Sequence, residues 1–251
     1  MERNRSRLIW AGVLVVILAF GGLVYLNVTA PAYACSNQWV APATAAPAGS
    51  PAPGSSTTIG FTQPDMGNSH VPPGTAVKYL YCPPASGNHY FSGTLGPIPA
   101  RVYGPNEKTM PEGWVHNLEH GALVIAYNCS GSAPGDGCDA ATQTAFGTFY
   151  SNFPNSPVCD IPAGQVGPVI TRFDTMAYPF VAMVWDWVLP FQTFDAATQQ
   201  QILAFYAQHA EQNNPELLCT PPSAEPSTVP TEVPTAAPAT EPPASPAPAA
   251  S

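Results

Sequence analysis

Basic side chains are the scarcest feature of this sequence: 7 Lys and Arg stand against 16 Asp and Glu in 251 residues, a net charge of −9. Arg3, Arg5 and Arg7 lie at the N-terminus, so everything after them carries 4 basic and 15 acidic residues. Without a basic patch to displace counterions, nucleic-acid binding through phosphate neutralisation is excluded. No Gly-rich loop followed by Lys is present, which argues against phosphate handling. The Gly-x-Ser-x-Gly nucleophile elbow is missing, no Ser-His-Asp or Cys-His arrangement is legible, and no carboxylate pair is singled out for glycoside hydrolysis. Nor does a CxxC occur, which argues against a thioredoxin-like redox motif and a four-Cys zinc site.

What the chain has in plenty is Pro (32) and Gly (20), unevenly spread. Residues 41–57 and 221–251 are Pro/Ala/Ser-rich stretches with too little apolar surface to offset chain entropy. One long apolar run exists, Leu8 to Val28, 21 residues without a charge. As a helix it spans about 30 Å, the thickness of a bilayer's hydrocarbon core. The arginines before it keep the N-terminus in the cytoplasm and direct the rest outward. The expected organisation is a cytoplasmic N-terminus at 1–7, a transmembrane anchor at 8–28, a Pro/Ala-rich linker at 29–57, a globular domain at 58–220 and a disordered Pro-rich tail at 221–251. Ala32-Tyr33-Ala34 also has a small-x-small cleavage pattern, and Cys35 directly after it could carry lipid. An uncleaved single-pass anchor at the cell membrane is the preferred reading, and all three put the domain outside the cytoplasm.

Within 58–220 the fold class expected is α+β: one small compact extracytoplasmic domain with a short sheet, two helices and many loops. Ala76 to Tyr81, Gly121 to Tyr127, Val169 to Phe173 and Phe180 to Leu189 read as strands. Asp139 and Asp195 each precede a helical run as N-caps, the first ending near Pro154 and the second before Pro215. The six cysteines fit disulfides in an oxidising compartment. Cys129 and Cys138 flank a flexible loop and are the preferred pair, while the partners of Cys35, Cys82, Cys159 and Cys219 stay open.

Chemistry concentrates in the histidines. His70, His89, His116 and His120 fall within 51 residues, each beside Gly- and Pro-rich turns. His209 lies apart on the last helix and reads as solvent-facing. His116 and His120, four apart, share one face of a helix or strand, and with Glu119 they spell HNLEH, the HxxEH pattern of inverted zinc peptidases. The strand-like run after Gly121 argues against the continuous metal-binding helix which that enzyme class uses.

The segments around these residues carry a resemblance. PPASGNHY (Pro83 to Tyr90) and VHNLEHGALVIAY (Val115 to Tyr127) resemble the PPTSGPHY-like turn and VHNLEHGG-like segment of the family called domain of unknown function 3105. MGNSHVPPG upstream and RFDTMAYPFVAMVWDW (Arg172 to Trp187) downstream are similar to its other segments, so the likeness covers about residues 60–215. Ala85, Asn88 and Ala122 replace the commoner Thr, Pro and Gly, and the stretch 129–159 looks like an insertion. By that correspondence His70, His89, His116, His120 and Met176 occupy positions where the family also has His or Met.

Imidazole suits several transition metals, whereas a thioether selects copper(I). The reading is a membrane-anchored extracytoplasmic protein with a His-rich metal site, for copper binding or delivery to a metal-accepting envelope protein. Its expected ligands are His70, His89, His116, His120 and Met176, with Glu119 as an outer partner that orients an imidazole. It reads as a carrier more than as an enzyme. Two alternatives remain: a zinc-dependent hydrolase with Glu119 as general base, and a non-catalytic envelope interaction module with structural histidines.

Overall fold

The computed structural model describes residues 13–16, 33–43, 58–129 and 135–219. The apolar run 8–28 therefore lies outside the described residues except for 13–16, which are helical. Among the described residues no helix is long and apolar enough to cross a membrane. The tail 221–251 lies wholly outside them.

The domain is α+β. Its centre is a five-stranded sheet in the order β2 (Phe61–Thr62), β9 (Trp187–Phe191), β8 (Phe180–Val184), β6 (Val124–Tyr127), β7 (Val169–Arg172). Only β6 and β7 run parallel; the other neighbours are antiparallel. Side chains alternate between faces with the period of two that a pleat imposes. Val124, Ala126, Val181 and Met183 join one buried cluster, while Ile125, Tyr127, Ala182 and Val184 join the other. A sheet covered on both faces explains why these strands read as continuous apolar runs.

Helices α2 (Ala140–Ser151) and α3 (Ala196–His209) cover the second face through Phe146, Phe149, Ile202, Phe205 and Tyr206. Both start as the sequence predicts. The Asp139 carboxylate accepts from the amides of Ala141 and Thr142, and the Asp195 carboxylate accepts from the amide of Thr198. Such caps contribute about 1 kcal/mol each.

The first face is covered by α1 (Pro111–Glu119) and by a two-stranded parallel pair, β1 (Tyr33–Gln38) with β4 (Val77–Cys82). Neither cover was expected in full. The sequence predicts two helices, and α1 makes a third in the domain. Strand β1 and the 5%-exposed Trp39 come from within the 29–57 stretch read as linker, and they pack into the core. A disulfide between Cys35 and Cys82 fastens β1 to β4, so the Cys35 sulfur is not free for a lipid thioether. Cys129–Cys138 pairs as expected, and Cys159 pairs with Cys219.

The run Phe180 to Leu189, predicted as one strand, is a hairpin. Trp185 and Asp186 form its two-residue turn between the paired Val184 and Trp187, and Asp186 takes φ +61°, a conformation that Asp tolerates better than most residues.

A third pair, β3 (His70–Val71) and β5 (His89–Tyr90), is parallel and sets His70 directly beside His89. The turn before β5 is pinned to the segment before β3. The Gly87 amide donates to the Gly67 carbonyl at 2.7 Å, and the Asn88 side-chain oxygen accepts from the Ser69 amide. Gly87 has φ +126°, and a Cβ there would stand 2.7 Å from the Tyr79 ring, so only glycine fits this turn.

Candidate metal centre

Helix α1 begins with Pro111 at its first turn and all nine of its residues are buried. Asn117 fixes it in place by donating to the carbonyls of Ile98 and Val166 and accepting from the Ile98 amide. The helical spacing then presents His116 and Glu119, three apart, on one side. This corrects the expectation that the HNLEH segment leads straight into a strand. The helix ends at Glu119, His120 follows as its C-cap, and β6 begins only at Val124.

Helix α1 and the β3–β5 pair bring three imidazoles together. The ring centroids of His70, His89 and His116 form a nearly equilateral triangle: 4.8 Å for His70–His89, 4.9 Å for His70–His116 and 4.8 Å for His89–His116. Glu119 closes the group, its Oε2 lying 2.8 Å from His89 Nε2 and 3.2 Å from His70 Nε2. One donor atom from each of the four residues lies within 4.8 Å of the others. His89, His116 and Glu119 are buried, whereas the His70 side chain is 32% exposed. The opening is therefore on the His70 side, where the exposed Phe91 ring lies 5.0 Å from the His70 ring.

The second nitrogen of two rings fixes how the first one points. His89 Nδ1 lies 2.8 Å from the Gly87 carbonyl, and His116 Nδ1 lies 2.6 Å from the Tyr90 carbonyl. A carbonyl oxygen only accepts, so each Nδ1 carries the proton. Nε2 is then the nitrogen turned toward the group. This is the usual outer support of a metal-bound imidazole, which fixes its tautomer and ring orientation.

In a neutral His89, the Nε2 lone pair faces a carboxylate oxygen across 2.8 Å. That contact is repulsive unless a positive particle, a second proton or a metal ion, sits in it. Two donors each about 2.1 Å from one ion stand about 3.0 Å apart at a right angle and about 3.4 Å apart at the tetrahedral angle. The two Glu119 edges have close to these lengths. The residues present therefore fit a transition-metal ion, with His70, His89, His116 and Glu119 as its donors.

The electrostatics agree. Burial, with the neighbouring imidazoles, pulls the His116 pKa down to about 4 against the opposing pull of the Tyr90 carbonyl, so its ring is neutral and able to bind metal at pH 7. Burial acts to raise the Glu119 carboxyl, but the hydrogen bond and charge of His89, with the charge of His70, outweigh it and hold the pKa below its ordinary value. Glu119 is therefore ionised.

His120 is not among these four: its Nδ1 donates to the Glu216 carbonyl at 2.9 Å, on the outer side of His116. Met176 is 5% exposed and belongs to the apolar cluster that contains Trp39, Tyr79, Trp114 and Phe173. His209, expected to face solvent, is 8% exposed, stacks on Trp187 at 3.8 Å and donates from Nε2 to the Ile59 carbonyl. Cys129, Asp136 and Cys138 also cluster, but both sulfurs are used in their disulfide. Sequence reasoning missed the Gly87 and Tyr90 carbonyls, whose role depends on backbone geometry, and Glu216, which lies 96 residues beyond His120.

A family model described as Protein of unknown function (DUF3105) matches residues 70–221, which include the whole constellation. No curated protein and no solved structure matches the chain.

Proposed function

The chain belongs to the DUF3105 family, whose description states no activity, and from the site itself we propose that it is a metal-binding protein held at the outer face of a membrane. The observation that carries this reading is the pair of Nδ1–H bonds to Gly87 and Tyr90, which turn two buried imidazoles toward an ionised carboxylate. Such a site holds an ion through His70, His89, His116 and Glu119. Three imidazoles and a carboxylate bind copper(II) most tightly among divalent first-row ions, with zinc the alternative. No sulfur is among these four donors, so copper(I) selection by Met176 is not part of the proposal.

The function proposed is capture of copper and its delivery to an envelope protein. When bound, the ion would find in Glu119 a counter-charge instead of a free base, because Oε2 already faces two imidazoles. The membrane location rests on the uncharged run 8–28 with arginines before it, and three disulfides support an oxidising compartment. Titration of the metal-stripped full-length chain with copper(II) tests the proposal. One ion bound per chain, with binding lost in His89→Ala, supports it, and a chain that binds neither copper nor zinc overturns it.

A zinc-hydrolase reading draws on one observation: HNLEH does sit at a helix end, with Glu119 inside the imidazole group. Under it, Glu119→Gln would keep zinc while losing hydrolysis.

A further inference from the structure

His116 belongs to a second group. One ring nitrogen each of His116 and His120 and a carboxylate oxygen of Glu216 lie within 4.8 Å of one another. The two rings are 4.8 Å apart, centroid to centroid. The position of Glu216 is a built feature of the fold. Asn214 donates to the Leu118 carbonyl at 2.6 Å, Glu211 accepts from the amides of Val158 and Cys159, and the Cys159–Cys219 disulfide closes the segment. His120 is oriented like the inner histidines: Nδ1 donates to a backbone carbonyl, that of Glu216, and Nε2 is left to bind.

Burial grades from outside to inside. Glu216 is exposed, His120 half-buried and His116 buried, with His89 and Glu119 behind it. The His116 Nδ1 is committed to the Tyr90 carbonyl, so the ring has one nitrogen to offer and can serve one group at a time.

We infer that His120 and Glu216 form an outer station where a hydrated divalent copper ion first binds together with His116, and from which it passes to the inner four-residue site by ligand exchange. This rests on the metal-binding reading above. In the exchange the bonds from the ion to His120 nitrogen and Glu216 oxygen break. Bonds to the nitrogens of His70 and His89 and to a Glu119 oxygen replace them, His116 stays bound, and water returns to solvent. No electron moves and the ion keeps its charge.

A station on the path lowers the barrier in both directions equally and leaves the inner site's affinity unchanged. The test uses the full-length chain in detergent, stripped of metal and mixed rapidly with copper(II) sulfate. Quenching of Trp fluorescence reports arrival, since Trp185 lies 6.5 Å from His89. His120→Ala and the conservative Glu216→Gln should each slow loading about tenfold, the effect of about 1.4 kcal/mol in a barrier. Release to a chelator should slow by the same factor, with Kd unchanged.

Unchanged rates in both variants overturn the inference while leaving the inner site standing. So does a loss of Kd without a change in loading, which would make His120 and Glu216 ordinary ligands. Two ions held at once by the wild-type chain would also overturn it, because a shared His116 allows one. If the wild-type chain binds no metal, the inference fails together with the reading it rests on.

Discussion

His89 and Glu119 face each other Nε2 to Oε2 across 2.8 Å, both at 1% exposure or less, while the far nitrogen of the same ring donates to the Gly87 carbonyl. The far bond fixes what the near contact needs: with Nδ1 protonated, Nε2 and the carboxylate require a proton or a metal ion between them. Glu119→Gln removes the charge and retains the shape. It should weaken copper(II) or zinc binding by at least about 10–100-fold, since losing even an outer partner of a metal ligand costs that much. His89→Ala should cost more than that. Competition against a chromogenic chelator measures both.

Glu112, one turn before His116 on α1, is fully buried, and among the described residues neither carboxylate oxygen accepts a hydrogen bond from another residue. Burial pushes its pKa up to about 7. A carboxyl whose folded pKa lies above the unfolded one stabilises the fold least when ionised. Stability is fully present below the unfolded value of about 4.3, falls as pH rises, and levels off above about 7. Glu112→Gln removes this slope. The variant should match the wild type at pH 4 and exceed it at pH 8 by on the order of 3 kcal/mol, read by urea unfolding at both pH values.

The Cys159–Cys219 disulfide joins positions 60 residues apart and holds the segment that carries Glu216. Replacing both cysteines with Ser should lower unfolding free energy by about 2–4 kcal/mol. If the outer station works as inferred, the same variant loads copper more slowly while the inner site still fills. Denaturant curves and loading rates separate the two effects.

Gly121 turns the chain from α1 toward β6 at φ +92°, and a Cβ there would lie 2.6 Å from Glu211 Cγ. Gly121→Ala combines backbone strain with that clash and should destabilise the fold by about 1–3 kcal/mol. Chemical denaturation checks this.

The capped helices were legible because Asp139 and Asp195 announce them locally. Strand β1 was not, because its Ala- and Pro-flanked sequence becomes a strand only by pairing Tyr33 with Val77, 44 residues on. Helix α1 escaped notice for a different reason. All nine residues are buried, so the face bearing Glu112, His116 and Glu119 is not the solvated stripe of a surface helix, and Gly113 argues locally against a helix. The histidines themselves are visible in the motifs, since each lies in a short segment marked by Gly or Pro. Which of them converge is not: His70 and His89 meet through strand register, and His120 falls just past the end of the helix that carries His116. Trp185–Asp186 hid a hairpin inside one apolar run, because Asp is a less obvious turn residue than Gly.

The most direct test of the central claim is elemental analysis of the full-length chain purified without chelators, beside the His89→Ala/His116→Ala double variant. The account predicts about one copper or zinc ion per wild-type chain and none in the variant. A well-folded wild-type chain that carries no metal, and takes up none when copper(II) or zinc is supplied, would contradict it and leave the imidazole triangle as a hydrogen-bonded structural cluster.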